Sequence, residues 1–393
     1  MKINSFALFG FLTLACIALA GWLMGDAFAL PAAAGGVALG KAFCVFGTLD
    51  AFLKRSMHTA TSRVPVPTKF LRQRFFGRIF TFGTRHIDLD LVMPKRGMAP
   101  FVHPSLPGKP TAGQGFTMKT YVPPVQKPTK VITPEHLQAR QPGMTIYEAG
   151  AEQPVLLAQL LGERVAENND ELAFRNEWMA SKALFSGAIP VVGEGYNHTI
   201  SFDLPNTHNV TLLNDARWGQ ASMAPWTDLR TACRNNRDDG QVVSDTVVFG
   251  SDAWAEFLTW LQKADNKALM DMIRADFGMI RPTPLDEYTT YLGTIRDADM
   301  NVDLFAYSAQ YLDDDGTMKP YVPADEVFIG STRATGNQEL YGAIPSMFAP
   351  SFKGQAYQDF EIKKNPESII VLTQSAPLIT LLEPKAGTRL KVK

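Results

Sequence analysis

Residues 368–384 read SIIVLTQSAPLITLLEP, an apolar stretch near the C-terminus that looks built for burial. Its runs are Ile369-Ile370-Val371-Leu372 and Leu378-Ile379 with Leu381-Leu382, joined by Thr373-Gln374-Ser375-Ala376-Pro377. Chain ends ordinarily tolerate change because little burial depends on them. Strand-like runs there predict closing strands that return to the core, with Pro377 at an edge or bulge where its missing N–H costs least. On such a strand Leu378, Thr380 and Leu382 share one inward face. The chain beyond Leu390 is expected to be dispensable.

The rest of the chain is consistent with a folded protein. Its 393 residues are 46% hydrophobic and 20% charged, room for two or three domains. A formal net charge of −1 gives no global attraction to nucleic acid or anionic membranes. Cys16, Cys44 and Cys233 form no CxxC or Cys/His cluster, so neither a disulfide framework nor a zinc site is signalled. GxSxG, HExxH and Walker patterns are missing, and GEGYNH (Gly193–His198) reads as a hairpin turn because it does not open a helix. Asp297–Asp303 imitates the start of a calcium loop, but Val302 stands where glycine is needed and Ser308 where a bidentate glutamate is required. DDDG (Asp313–Gly316) reads as a turn between strands. No catalytic, cofactor or metal residues are assigned, and an enzyme is not expected.

The chain is strongly segmented. Phe6–Met24 carries no charge and would span ~28 Å as a helix, which imitates a secretory signal or membrane anchor. Composition switches at Lys54-Arg55. Within the basic stretch that follows, FLRQRFFGRIF (Phe70–Phe80) alternates bulky apolar residues with arginines, and Phe70, Leu71, Phe75 and Ile79, with Phe82 just beyond it, share one helical face. That pattern fits either a basic arm lying on a neighbour or on nucleic acid, or an ordinary amphipathic element with solvated arginines. Met93–Gly143 is studded with proline, which excludes helix. The strand-like Ile87–Met93 and Phe116–Val125 on either side of a Pro/Gly tip predict a long projecting hairpin. Pro154–Ser186 then predicts one continuous helix of ~45 Å, with Leu157, Leu161, Val165, Leu172, Met179 and Ala183 on one side and Gly187 as the stop. Strands and helices alternate irregularly after it, so the class is α+β.

Two stretches carry a family resemblance. AYSAQYLDDDGTMKPYVPADEVFIGSTRATGNQELYGAI (Ala306–Ile344) and IIVLTQSAPLITLLEP (Ile369–Pro384) resemble the phage lambda major capsid protein E family, tailed-bacteriophage capsid proteins of the Hong Kong 97-type fold. Tyr307, Gln310, Tyr311, Gly330, Tyr341 and Gly342 fall at the expected places. Gln374-Ser375-Ala376-Pro377-Leu378 is the most specific run. The resemblance implies an α+β subunit with an N-arm (57–86), an extended E-loop hairpin (87–148), a peripheral domain with a spine helix (149–224 and 366–393) and an axial domain (225–365). Residues 1–56 would lie outside the capsid core, with the subunit starting at Met57. It implies a structural function, pentamers and hexamers closing into an icosahedral shell around double-stranded DNA. Assembly would take place in the bacterial cytoplasm, and the product would be the virion. Implied partners are further copies of the chain, packaged DNA held without sequence specificity, a portal, a scaffold or protease, and a decoration protein. Implied subunit-interface residues are Arg72, Arg74 and Arg78 in the arm, and Pro104, Pro107, Gly108 and Tyr121 in the hairpin. Two other readings stand beside it: a membrane-anchored or periplasmic binding protein, favoured by Phe6–Met24, and a nanocompartment shell of the same fold.

Overall fold

The computed structural model describes residues 70–92, 97–111, 115–138, 153–263, 283–286, 288–297, 299–344, 346–347 and 353–393. The chain divides into two units, Met1–Ser56 and Met57–Lys393, and every described residue belongs to the second. The Phe6–Met24 segment and residues 57–69 of the arm lie outside the described residues. Helix α1 (Phe70–Phe75) and strand β1 (Arg78–Thr81) come first, followed by β2 (Ile87–Val92), β3 (Phe116–Tyr121), β4 (Thr129–Ile132) and α2 (Pro134–Gln138). Helix α3 (Gln153–Ser186) precedes β5 (Ala188–Gly193), β6 (Tyr196–Ser201), β7 (Asn209–Thr211), α4 (Pro225–Asp239), β8 (Thr246–Phe249) and α5 (Ser251–Leu261). The remainder is strand: β9 (Thr283–Asp286), β10 (Thr289–Arg296), β11 (Asn301–Tyr307), β12 (Gln310–Leu312), β13 (Met318–Pro320) and β14 (Glu326–Gly330). Last come β15 (Asn337–Tyr341), β16 (Tyr357–Lys364), β17 (Glu367–Gln374), β18 (Pro377–Leu381) and β19 (Thr388–Lys391).

Helix α3 runs unbroken for 34 residues. It stops where Gly187 takes φ +64°, a left-handed turn where an added Cβ would also lie only 2.5 Å from the Leu204 Cβ. Its buried stripe includes Leu161, Val165, Leu172, Met179 and Ala183, as the spacing predicts. Asn168, Asn169 and Asn176 fill the places on that stripe where the apolar spacing skips a turn, and they too are buried.

A seven-stranded sheet, ordered β7-β19-β14-β8-β11-β10-β9, separates two cores. Alternate residues along a strand face opposite sides. Val247, Phe249, Val327 and Ile329 enter one core with Leu229 and Cys233 of α4 and Phe257 of α5. Val248 and Phe328 enter the other with α1, the end of α3, β15 and β18. Burial on both faces accounts for the uninterrupted apolar runs TVVF and EVFIG.

The closing stretch divides between two further sheets. Strand β17 lies between β16 and β4, and β18 pairs with β15 at the edge of β1-β15-β18, with Pro377 opposite Tyr341. Strands β2 and β3 form the expected hairpin, in register from Ile87↔Tyr121 to Val92↔Phe116.

Several expectations are corrected. The proline-studded stretch from Met93 to Gly143 does hold one short helix, α2, which Pro134 opens at the position where its missing N–H costs nothing. The helical stripe of Phe70–Phe82 ends at Phe75. Beyond Gly77 the chain becomes β1, pairing parallel with β15 and leaving Ile79 and Phe80 exposed. A glycine disfavours helix, and the open edge of β15 offers the backbone another set of partners. Leu382 lies past the end of β18, whose five residues are all buried, so the strand has no solvent face. β7 and β19 complete the seven-stranded sheet, whereas β15 pairs with β1 and β18. Finally, the residues beyond Leu390 are not left loose: Lys391 belongs to β19 and Val392 is fully buried.

Candidate functional site

The hairpin is anchored at its base and free at its tip. Ile87 and Leu89 are buried in the core shared with α3. Lys119 forms an ion pair with Asp203 next to β6, and this hydrogen bond raises the Lys119 pKa and lowers that of Asp203. The Tyr121 ring lies 6.0 Å from Phe202, and burial raises its hydroxyl pKa, so this residue fastens the base rather than presenting itself outward. The tip, residues 97–111, is exposed throughout and includes Pro104, Pro107 and Gly108. Met98 and Phe101 are 89% and 105% exposed, an apolar load with no burial in the single chain.

The arm's arginines have diverged. Arg72 Nε donates to Glu339 Oε2 at 3.1 Å and its Nη2 lies 2.8 Å from Oε1, a forked pair shielded from solvent. Tyr341 also donates to Glu339, and burial together with that carboxylate pushes its hydroxyl well above the usual tyrosine range. Arg74 donates to Thr246 Oγ1 at 3.1 Å, and its guanidinium sits 4.9 Å above the Phe305 ring. These two arginines therefore brace the chain internally, while Arg78 remains exposed.

Helix α1 is held onto α3 by Glu177. Leu71 N–H donates to Oε1 at 2.9 Å, Arg72 N–H to Oε2 at 3.2 Å, and the Tyr307 hydroxyl to Oε1 at 2.9 Å. The carboxylate thus satisfies two N–H groups that a helix start leaves without partners. Burial raises its pKa, and these donors partly offset that shift.

The motif residues weld elements together. The Ser375 hydroxyl donates to Gln355 O at 2.6 Å, and its backbone exchanges two hydrogen bonds with Gln126. Ala376 O accepts from Gly342 N–H at 2.9 Å, Leu378 is fully buried opposite Leu340, and Gln374 is buried at the end of β17. A Cβ at Gly330 would meet Phe328 at 2.5 Å and Phe75 at 2.9 Å, so this position has no room for a side chain. Asn168 Nδ2 donates to Thr373 Oγ1 at 3.1 Å, which fixes β17 to α3. Sequence reading missed Glu177, Glu339 and the α3 asparagines. The available signal was polar residues on a stripe that is otherwise apolar.

Beside this frame, a groove of about 1030 Å³ opens between α3, β5–β6 and β12–β13. Trp178, Pro190, Val192, Tyr311, Leu312 and Met318 line it, with Gln310 at its wall. Arg85, Lys127, Glu171, Arg175, Glu194 and Asp313 line it as well, so it suits an amphipathic segment with an apolar anchor. Elsewhere, the acids of the calcium-like loop are taken by arginines: Arg234 Nε donates to Asp299 at 3.0 Å, and Arg230 pairs with Asp297. The hydrogen bond from Arg234 lowers the Asp299 pKa. Burial pushes the Cys233 thiol up to about 11, which makes it a packing group. Among the described residues no His, Cys, Asp and Glu cluster could hold a metal, and no helix is long and apolar enough to cross a membrane.

The family described as phage major capsid protein E matches residues 54–392. The major capsid protein of Enterobacteria phage phi80 is 24% identical over 337 residues, covering 81% of this chain and 92% of that protein. The major capsid protein of Escherichia phage N15 is 25% identical over 338 residues, with the same coverage of 81% and 92%. Among solved structures, the putative capsid protein of a prophage of E. coli CFT073 aligns with a TM-score of 0.58 at 20% identity, covering 88% of this chain and 98% of that one.

Proposed function

The chain belongs to the phage major capsid protein E family, and we propose that its copies close as pentamers and hexamers into an icosahedral shell around double-stranded DNA. Its fold is the Hong Kong 97-type capsid fold, and the family is a structural class rather than an enzyme class. The observation that carries the reading is the projecting hairpin, rigid at Lys119–Asp203 and apolar at an exposed tip. A tip that fits a different surface on the next copy makes a head-to-tail contact, and such contacts form rings when the rotation between copies closes. The groove beside Trp178 and Val192 offers an apolar wall that would receive it. Prolines in the tip limit the entropy lost when it docks. Further contacts would be with a portal, a scaffold or protease, and a decoration protein, and the mature location is the virion. The near-neutral chain encloses DNA without sequence readout.

Electron microscopy and sedimentation of the expressed full chain test this reading. Native protein is expected to yield closed particles. Replacing Phe101–Pro110 with a short Gly-Ser link removes the tip but no core residue. That variant should keep its cooperative melt and remain as small oligomers. Normal particles from it would refute the hairpin's role.

A further inference from the structure

We propose that the recess between α1, β1 and the β14–β15 turn is an anion site that seats an acidic side chain of a polypeptide segment. The recess holds about 360 Å³ and is lined by Arg74, Arg78, Thr332, Arg333 and Asn337 among others. It stands apart from the hairpin and the groove.

Three arginines line it, and two of its walls are fixed in advance. Arg74 is fixed by Thr246 and by Phe305, and its Nη2 is 3.4 Å from Asp303. The turn carrying Arg333 is pinned, because Arg333 N–H donates to Ser331 Oγ at 3.1 Å and Thr332 N–H to Asp245 Oδ1 at 3.0 Å. Asp245 is also occupied by the hydroxyls of Thr246 and Thr332. Arg78 and Arg333 are exposed and make no ion pair among the described residues. Positive charge is therefore left over at the mouth.

Asn337 supplies an independent observation. It is 5% exposed, lines the recess, and its Oδ1 has no hydrogen-bond partner. A buried acceptor without a donor carries a desolvation cost, so a ligand that brings an N–H or O–H together with its charge, and that opens Oδ1 by a small turn of the Asn337 side chain, is favoured over one that brings acceptors alone. A phosphodiester offers only acceptors, and a rigid duplex is too wide to enter. An acidic residue within a polypeptide meets both demands: its carboxylate takes the arginine forks, and a neighbouring backbone N–H faces Oδ1.

The test uses the full chain, unassembled, with a fluorescein-labelled hexaglutamate peptide followed by anisotropy at low salt. Native protein should bind it and ignore hexaglutamine. Arg78→Gln with Arg333→Gln, both at exposed positions, should bind at least ~10-fold more weakly with an unchanged melting temperature. Failure of the native chain to bind, or equal affinity in the double variant, would overturn the site. Displacement of the peptide by a DNA duplex that depends on the same arginines would assign the recess to nucleic acid instead. Equal binding by a hexaglutamate with N-methylated peptide bonds would refute the Asn337 contact, and with it the choice of a polypeptide. These readouts are independent of shell formation, so a failure here is distinct from a failure to assemble.

Discussion

Ending the chain at Lys391 removes Val392 and Lys393, and the structure assigns them very different weights. Val392 is fully buried in the core under α4 and α5. Its N–H donates to Asp325 O at 2.9 Å, and its carbonyl accepts from Trp218 N–H at 2.8 Å. Burying a valine side chain contributes ~1.5–3 kcal/mol, and the two hydrogen bonds ~0.5–1.5 kcal/mol each, together ~2.5–6 kcal/mol. Trp218 is itself buried, so its N–H would be left without a partner, which favours the upper half of that range. Lys393 is exposed, with Nζ 3.6 Å from Glu256, a surface pair worth ~0–1 kcal/mol. Equilibrium urea unfolding of the unassembled subunit, followed by tryptophan fluorescence, compares the full chain with chains ending at Val392 and at Lys391. The chain ending at Val392 should match the full chain. The chain ending at Lys391 should lose ~4–6 kcal/mol, a midpoint shift of about 1.4–2 M at an m-value of ~3 kcal/mol/M, against a typical total of ~5–15 kcal/mol. Equal midpoints for the two truncations would refute the placement of Val392 in the core.

Two other predictions concern the frame around α1. Gly330→Ala drives a methyl group into Phe328 and Phe75, and should destabilise the subunit by ~1–3 kcal/mol in the same unfolding assay, whereas an unchanged midpoint would contradict that packing. Glu177 has its pKa raised in the folded chain, chiefly by burial, so its stability contribution is present below the ordinary glutamate value of 4.5 and is lost as pH rises through the folded value. Glu177→Gln does not titrate, so native stability should fall relative to the variant as pH rises above about 4.5; a difference that stays constant as pH rises would refute the shift.

Much of the architecture was legible because it rests on local physics. The apolar spacing of Leu161, Val165 and Leu172, unbroken by proline and stopped at Gly187, dictates one long helix whatever surrounds it. Proline between two alternating runs leaves little except a hairpin with an extended tip, so the most exposed part of the candidate site could be read directly. The closing strands followed from two apolar runs too rich to be left in water, and the motif around Pro377 carried the family. What could not be read was the identity of partners far apart in the chain. Arg72 and Glu339 are separated by 267 positions, and nothing local distinguishes that buried pair from the solvated arginine at Arg78. The groove takes its walls from α3, β5–β6 and β12–β13, and the anion recess from α1, β1 and the β14–β15 turn, so neither exists until the segments meet. Period and punctuation choose an element because they act within a few residues. Tertiary packing alone decides which face each charge meets, which is why β19 joins the seven-stranded sheet and Val392 becomes core.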